Sequence, residues 1–346
     1  MQTIKPSQLA TFVRSVAIEL NEPAMICGPP GCGKSEIVRQ LADDMEAVMV
    51  DIRLSQYDSV DLRGIPGGHN GQTIWSPPST LPFLGNPAFP TDRTITLFLD
   101  EITSATPAVS AVAYQLVNDR RVGEHTLLPN VRVVAAGNRE GDRGVVNRQP
   151  APLSNRFTHV EVLPDAESWV DHYLAKGGNP TIAAFFLYRP MLITTFDPSK
   201  PAKAFATPRT WAKAIRYYES DMPRDMKPVA MAGAVGDGEA AEFSGFMDIV
   251  AKMPDLDKAI ANPKKADLPE GVGMMYAVAL ALSVRMETAD ADTLANIDTY
   301  LRRMPPEFWS LAWVRATQKN QAVAIRILST PVGIKYASQH VNVLMG

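Results

Sequence analysis

The sequence predicts an α/β fold in its first half, a parallel sheet sandwiched by helices, and an all-helical fold in its second half. Three apolar runs, "AVMVDIRL", "TITLFLDEI" and "VRVVAAGN", consist mainly of β-branched and large side chains and are separated by segments of helix or loop. Strands of this kind are buried on both faces, which is typical of a parallel sheet covered by helices. After "FTHVEVLPD" the pattern becomes helical, so we place the end of the α/β region at residue 165.

The chain of 346 residues is long enough for two or three packed units. Beyond residue 165, segments such as "TPRTWAKAIRYYES" and "GMMYAVALALSVRM" have helical periodicity. The polar, proline-bearing segment "NPKKADLPEG" interrupts this region. We therefore expect three domains, at residues 1–165, 166–262 and 263–346.

The composition, 46% hydrophobic and 21% charged with a net charge of -3, is that of an ordinary globular protein. This charge does not favour nucleic acid as a partner, although a local basic groove would escape such an argument. The first twenty residues have no basic stretch followed by an apolar run, and no run of about 18 apolar residues occurs. We expect a cytoplasmic protein that does not bind a membrane, with Cys27 and Cys32 reduced.

A glycine-rich loop follows the short apolar run "PAMICG" and leads into the helical pattern "GKSEIVRQLADDM". Its spacing is G-x-x-x-x-G-K-[ST], in which backbone N–H groups and a lysine surround phosphate groups at the start of a helix. The strand, loop and helix occur in the order that this function requires. We expect the nucleotide to contact Gly28, Pro29, Pro30, Gly31, Cys32, Gly33, Lys34 and Ser35.

The apolar run "LFLDE" ends in two carboxylates, Asp100 and Glu101. An aspartate at the carboxyl end of a strand can hold Mg²⁺ together with the hydroxyl of Ser35, and the adjacent glutamate can activate an attacking water. The alternative is a solvated acidic strand end without a catalytic role. Next to a complete phosphate loop, the pair predicts ATP hydrolysis with Mg²⁺.

Two further residues follow later strands. Asn138 ends the run "VVAAGN", where its amide can orient the attacking water and the γ-phosphate, or can simply cap a turn. Arg156, in "PAPLSNRF", precedes the last strand of the sheet. It is either a surface residue or an arginine finger that stabilises transition-state charge in the site of a neighbouring subunit.

The motifs "GPPGCGKS", "LFLDE", "AAGN", "LSNRF" and "ATPRT" occur in the order and approximate spacing of an AAA+ ATPase. The chain resembles the MoxR branch, since "DIRLSQYDSVDLRGIPGG" is similar to the helix-2 insert of that group, and its C-terminal part is similar to bacterial and phage MoxR-like ATPases. The resemblance implies a P-loop NTPase core, a helical lid and a C-terminal helical extension. It also implies that Arg209 contacts the γ-phosphate from the lid.

The sequence departs from the usual MoxR pattern after Asn138, where Arg139 and Glu140 replace the common proline, and the next loop is rich in arginine. Arg143 and Arg148 therefore compete with Arg156 as the finger. The resemblance further implies a ring, expected to be a hexamer, that remodels a protein client with a separate partner carrying a von Willebrand factor A domain. The alternative is a nucleic-acid motor in which Arg120, Arg121, His125 and Arg132, in the hairpin at 118–132, contact phosphates.

Overall fold

The computed structural model describes residues 1–139, 141–142, 154–200, 202–318 and 320–339, which form two compact units. The first unit comprises Met1–Pro164, Phe196–Lys203 and Thr207–Arg209, and the second comprises the remaining described residues from Asp165 onward. The predicted division of the chain into three domains at residues 165 and 262 stays a prediction.

The first unit is built on a six-stranded sheet in which every neighbouring pair of strands is parallel. The order is β1-β10-β2-β9-β6-β3, so the chain crosses over between most neighbours. This confirms the predicted parallel sheet. The strands of this sheet are β1 (Thr3–Ile4), β2 (Ala24–Cys27), β3 (Val48–Arg53), β6 (Ile95–Asp100), β9 (Val131–Gly137) and β10 (Thr158–Val162).

Helices cover both faces of this sheet. Two helices pack against one face through their buried residues Leu9 and Val38. A third helix packs against the other face through Val112 and Leu116. Each face thus has its own apolar core, which explains why the central strands are apolar throughout. The helices of the first unit are α1 (Pro6–Val13, continued by a π-helical segment at Arg14–Glu19), α2 (Lys34–Asp44), α3 (Ser59–Arg63) and α4 (Pro107–Asn118).

Two small antiparallel hairpins project from the first unit. The hairpin of β4 (Ile65–His69) and β5 (Gln72–Ser76) is exposed along nearly its whole length. The second, β7 (Arg121–Val122) with β8 (His125–Thr126), is extended by a bridge between Phe83 and Leu127. Neither hairpin belongs to the central sheet, but Val122 of β7 is 1% exposed and belongs to the apolar core on one face of that sheet.

The second unit is helical. Its helices are α5 (Ala166–Ala175), α6 (Pro180–Tyr188), α7 (Pro208–Glu219, whose first two residues belong to the first unit), α8 (Met226–Val235), α9 (Asp237–Val250), α10 (Leu256–Ala261), α11 (Val272–Met286), α12 (Ala291–Leu301), α13 (Pro306–Gln318), α14 (Gln321–Leu328) and α15 (Pro331–Gln339). In the described part of the chain, no helix combines the length and the apolar character that crossing a membrane requires.

Aromatic side chains fill one part of the second unit. The indole of Trp211 is fully buried, with ring centroids of Phe185, Phe186 and Phe243 5.1–5.8 Å away. Helix α11 contributes buried residues both to this cluster and to a second one formed with α12 and α13. It is therefore the helix that connects the two cores, which explains why it is apolar on most of its surface.

A buried carboxylate organises the second cluster. Asp298 on α12 is 7% exposed, and its Oδ1 accepts hydrogen bonds from the indole N–H groups of Trp309 and Trp313 at 2.8 and 3.0 Å. Its Oδ2 accepts one from Nε of Arg302 at 2.7 Å. Because both oxygens are paired, the buried charge is compensated, and the carboxylate fixes the position of α13 on α12.

We expect Asp298→Ala to lower the free energy of unfolding by about 3 kcal/mol or more, because two indole donors and one guanidinium lose their acceptor inside the protein. Urea unfolding followed by tryptophan emission measures this, with Asp248→Ala at an exposed position of α9 as the control. Equal stability of the two variants would show that Asp298 does not organise this cluster.

Candidate active site

The glycine-rich loop connects the carboxyl end of β2 to the start of α2. Gly31 has a φ of +73°, and a Cβ atom at this position would lie 2.8 Å from Oγ1 of Thr207. Only glycine adopts this conformation readily and also leaves room for the threonine. The carbonyl of Gly31 accepts a hydrogen bond from the backbone N–H of Arg209 at 3.3 Å. The loop is therefore held from outside by residues 207–209.

Lys34 is the first residue of α2, directly after the glycines of this loop, and is only 8% exposed. Its ammonium donates to the carbonyl oxygens of Gly28 and Pro29 at 2.8 and 3.1 Å and to Oδ1 of Asn138 at 3.5 Å. Its partners in the described part of the chain, including Sγ of Cys32 at 3.9 Å, are neutral atoms. The positive charge is thus solvated but not neutralised, which favours binding of an anion such as phosphate.

Ser35 and Asp100, which the sequence predicts to bind a metal, are in contact with each other. The hydroxyl of Ser35 donates to Oδ2 of Asp100 at 2.8 Å, and Asp100 is 8% exposed at the end of β6. Mg²⁺ usually takes one or two protein oxygens and completes its octahedron with water and substrate phosphates. These two oxygens fit that requirement. Among the described residues, no cluster of three or more His, Cys, Asp or Glu side chains offers a protein-only metal site.

Glu101 follows Asp100 in a left-handed backbone conformation, with φ 56° and ψ 31°. Its backbone N–H donates to Oδ1 of Asp100 at 2.9 Å. Its carboxylate accepts a hydrogen bond from the hydroxyl of Ser55, in the 3-10 turn Leu54–Gln56 that follows β3. The sequence reasoning missed Ser55. Its proximity to Glu101 depends on the pairing of β3 with β6, which no local motif reveals.

Asn138 lies directly after β9, next to the phosphate loop as the sequence predicts. Besides the contact with Lys34, its backbone N–H donates to Oγ1 of Thr103 at 3.1 Å. Strands β2, β9 and β6 are neighbours and parallel, so the residues that follow them meet at one edge of the sheet. The structure therefore brings Lys34, Ser35, Asp100, Glu101 and Asn138 together.

Arg156 has a different location. It lies in the turn before β10, and its side chain is exposed. In the pairing of β10 with β2, Thr158 is opposite Ala24, whereas the phosphate loop begins after Cys27. The start of β10 is therefore about 10–13 Å of strand away from the loop of its own chain, and Arg156, which precedes β10, lies at the amino end of the sheet. Arg143 and Arg148 lie outside the described residues.

The two outer arginines of the hairpin at 118–132 are engaged within the protein. The guanidinium of Arg120 donates to the carbonyl of Val131 at 2.6 Å, and that of Arg132 donates to the carbonyl of Ile18 at 3.1 Å. Burial, and secondarily the neighbouring charge of Arg132, lowers the pKa of Arg120. Nε2 of His125 is buried. Of the four residues predicted to contact phosphates, Arg121 is the exposed one.

Residues 23–157 match the family model described as the AAA domain of the dynein-related subfamily. The match contains the loop, Asp100, Glu101, Asn138 and Arg156. Together with the parallel sheet, this match shows that the first unit has the P-loop AAA+ fold.

Several solved structures are similar to the chain at low identity. Thermotoga maritima RuvB, a Holliday junction branch migration motor, is 18% identical over 86% of this chain and 87% of that chain, with a TM-score of 0.38. Brucella abortus NtrX in complex with ADP is 13% identical over 96% and 67%, with a TM-score of 0.35. Closed-state Hsp104 with ATPγS and FITC casein is 16% identical over 74% and 44%, also with a TM-score of 0.35.

We expect Lys34→Ala to lower the affinity for ATP by about 100-fold or more, because it removes the one cationic side chain described inside the loop and the charge-assisted hydrogen bonds it can make to phosphate. Titration with a fluorescent ATP analogue measures this, with Lys252→Ala, at an exposed position of the second unit, as the control. Tight binding by Lys34→Ala would refute the assignment of this loop.

Proposed function

We propose that the chain is an ATP-hydrolysing AAA+ ATPase of the MoxR type, which assembles into a ring and remodels a protein client. The observation that carries this proposal is the convergence of Lys34, Ser35, Asp100, Glu101 and Asn138 at the carboxyl ends of adjacent strands. Binding of a nucleotide would need only Lys34, Ser35 and Asp100. The carboxylate of Glu101 and the amide of Asn138 beside them suit hydrolysis, because hydrolysis requires an activated and oriented water.

Each residue has a chemical role in this proposal. Lys34 and the backbone of residues 28–33 bind the β- and γ-phosphates, and Ser35 and Asp100 hold Mg²⁺, which when bound neutralises charge on the phosphate oxygens. Glu101 accepts the proton of the attacking water, and the amide of Asn138 orients that water and the γ-phosphate. Arg209, whose backbone N–H donates to the carbonyl of Gly31, contributes a further positive charge to the γ-phosphate in this proposal.

The hydrogen bond from Ser55 occupies one oxygen of the Glu101 carboxylate. An oxygen that accepts this bond is directed at the hydroxyl of Ser55 and not at a water. In our proposal, full activity therefore requires Glu101 to turn from Ser55 toward the attacking water. Ser55 holds the carboxylate until then.

A ring is part of the proposal because the position of Arg156 supports action between subunits. The residue is exposed and lies at the opposite end of the sheet from the loop of its own chain. An arginine there can complete a phosphate site only in a neighbouring copy, and repetition of such a head-to-tail contact closes a ring. A hexamer is the ring size that the MoxR resemblance implies.

The client is proposed to be a protein, engaged together with a separate partner that carries a von Willebrand factor A domain. The alternative, a nucleic-acid motor, needs free cations along the hairpin at 118–132. Arg120 and Arg132 instead donate to backbone carbonyls, and Glu124 in the same hairpin accepts a bond from the backbone N–H of Trp75. These contacts favour a structural role for the hairpin and disfavour the alternative.

We expect Glu101→Gln to bind ATP with an affinity within a few-fold of the wild type but to turn it over at least about 100-fold more slowly, because the amide cannot accept the proton of water. Steady-state release of phosphate and fluorescent-ATP titration measure the two quantities, with Glu46→Gln, at an exposed turn, as the control. Wild-type turnover by Glu101→Gln would remove Glu101 from the mechanism.

The same turnover assay discriminates between the client classes. Single-stranded DNA, double-stranded DNA, RNA and an unfolded protein are added in turn to the wild-type chain at two salt concentrations. Turnover that rises only with nucleic acid and falls steeply with salt would contradict a protein client, since phosphate contacts are lost as counterions increase. A protein client is supported by two results together. Nucleic acid should leave turnover unchanged, and turnover should rise as the mass measured by light scattering reaches that of a ring.

We expect Arg156→Ala to lower turnover by about 10³-fold or more, as loss of an arginine finger does in other nucleotide hydrolases. Mixing Arg156→Ala with Lys34→Ala should restore activity, because each variant supplies what the other lacks. Random mixing in equal amounts completes about a quarter of the sites of a closed ring. Phosphate release before and after mixing measures the recovery.

Arg93→Ala, which removes another exposed arginine of the first unit, is the control and should not change turnover. If Arg156→Ala keeps full activity, Arg156 is not the finger, and the same mixing experiment is then made with Arg143→Ala and Arg148→Ala. If all three variants lose activity but no mixture recovers it, the proposal that the site is shared between subunits is wrong.

A further inference from the structure

Thr103 connects the two strand ends that carry Glu101 and Asn138. It lies in the 3-10 turn Ile102–Ser104, which begins immediately after Glu101, and is 7% exposed. Its Oγ1 accepts the backbone N–H of Asn138 at 3.1 Å. Because this hydroxyl faces the interior, removing it would take a buried acceptor away from the N–H of Asn138.

The side chain of Thr103 also fits sterically against β9. A Cβ atom on Gly137 would lie 2.6 Å from both Oγ1 and Cγ2 of Thr103 and 3.1 Å from Cε of Met25. Glycine is therefore required at 137 because the threonine occupies the space that a side chain would need. Thr103 is fixed by a hydrogen bond on one side of this contact and by close packing on the other.

The regular pairing of the two strands does not reach the active site. The ladder between β6 and β9 runs from Ile95 with Val131 to Leu99 with Ala135. Asp100 and Glu101 on one strand, and Gly137 and Asn138 on the other, lie beyond its last pair. Beyond the last pair of the ladder, the contact of Thr103 with Gly137 and Asn138 links the end of β6 to the end of β9.

We infer that Thr103 is a positioning residue for ATP hydrolysis, which fixes the backbone of Asn138 relative to the turn that begins at Glu101. This inference rests on the proposed function. Glu101 and Asn138 must address the same water, and a displacement of about 1 Å in such an arrangement can cost about 100-fold in rate. Among the described residues, no hydrogen bond joins the side chain of Thr103 to the phosphate loop, so we expect its effect to fall on the reaction and not on binding of ATP.

The test is the pair Thr103→Val, which keeps the branched shape but cannot accept a hydrogen bond, and Thr103→Ser, which keeps the hydroxyl. We expect Thr103→Val to lower kcat by about 10- to 100-fold, with the KM for ATP and the affinity for a fluorescent ATP analogue within about twofold of the wild type. Thr103→Ser should retain kcat. In an Asn138→Ala background, Thr103→Val should have no further effect, because the residue that it positions no longer has its amide.

A second variant keeps the inference testable if Thr103→Val does not fold, as judged by circular dichroism. Gly137→Ala leaves the hydroxyl in place but pushes Thr103 away, so it should reproduce the loss of kcat. Unchanged kcat in either folded variant, equal loss of kcat and ATP affinity, or multiplicative effects with Asn138→Ala would overturn the role of Thr103. Absence of ATP turnover by the wild-type chain would overturn the proposed function and this inference with it.

Discussion

The parallel pairing of β2, β9 and β6 is the constraint on which the site depends. The three strands lead into different sequence features: a glycine loop after β2, an asparagine after β9 and an acidic pair at the end of β6. Because the three strands are neighbours and run in the same direction, these residues meet at one edge of the sheet. The apolar cores on both faces hold the strands in this order, so packing far from the site determines the distances within it.

Electrostatics explains why this edge is suited to phosphate. The ammonium of Lys34 is buried among neutral atoms, whereas the carboxylate of Asp100 is bonded to the hydroxyl of Ser35 and to the N–H of Glu101. The ammonium of Lys34 and the carboxylate of Asp100 are each hydrogen-bonded, but among the described residues no ion pair joins the two. A nucleotide bound with a metal ion, as proposed above, would supply a negative charge for the first and a positive one for the second, so both would be compensated together.

The sequence predicted the parallel sheet, the helical second half and the residues around Lys34, since strand patterns and the glycine spacing are local signals. It did not predict that Ser55 and Thr103 belong to the site, because they contact Glu101 and Asn138, respectively, which are distant from them in sequence. The arginines of the hairpin show the opposite error. Their spacing in the sequence suggested a cationic surface, but the guanidinium groups of Arg120 and Arg132 donate hydrogen bonds to backbone carbonyls. Charge can be counted from sequence, whereas its availability depends on tertiary contacts.

The edges of the central sheet have a consequence for solubility. Strand β1 is only two residues long and covers β10, and the opposite edge strand, β3, exposes the charged side chains of Asp51 and Arg53. Long, flat and apolar edges pair readily with other chains and lead to aggregation, while short or charged edges resist it. In the ring that we propose, copies of the chain would lie close together, and these protected edges would keep accidental strand pairing from competing with the correct contacts.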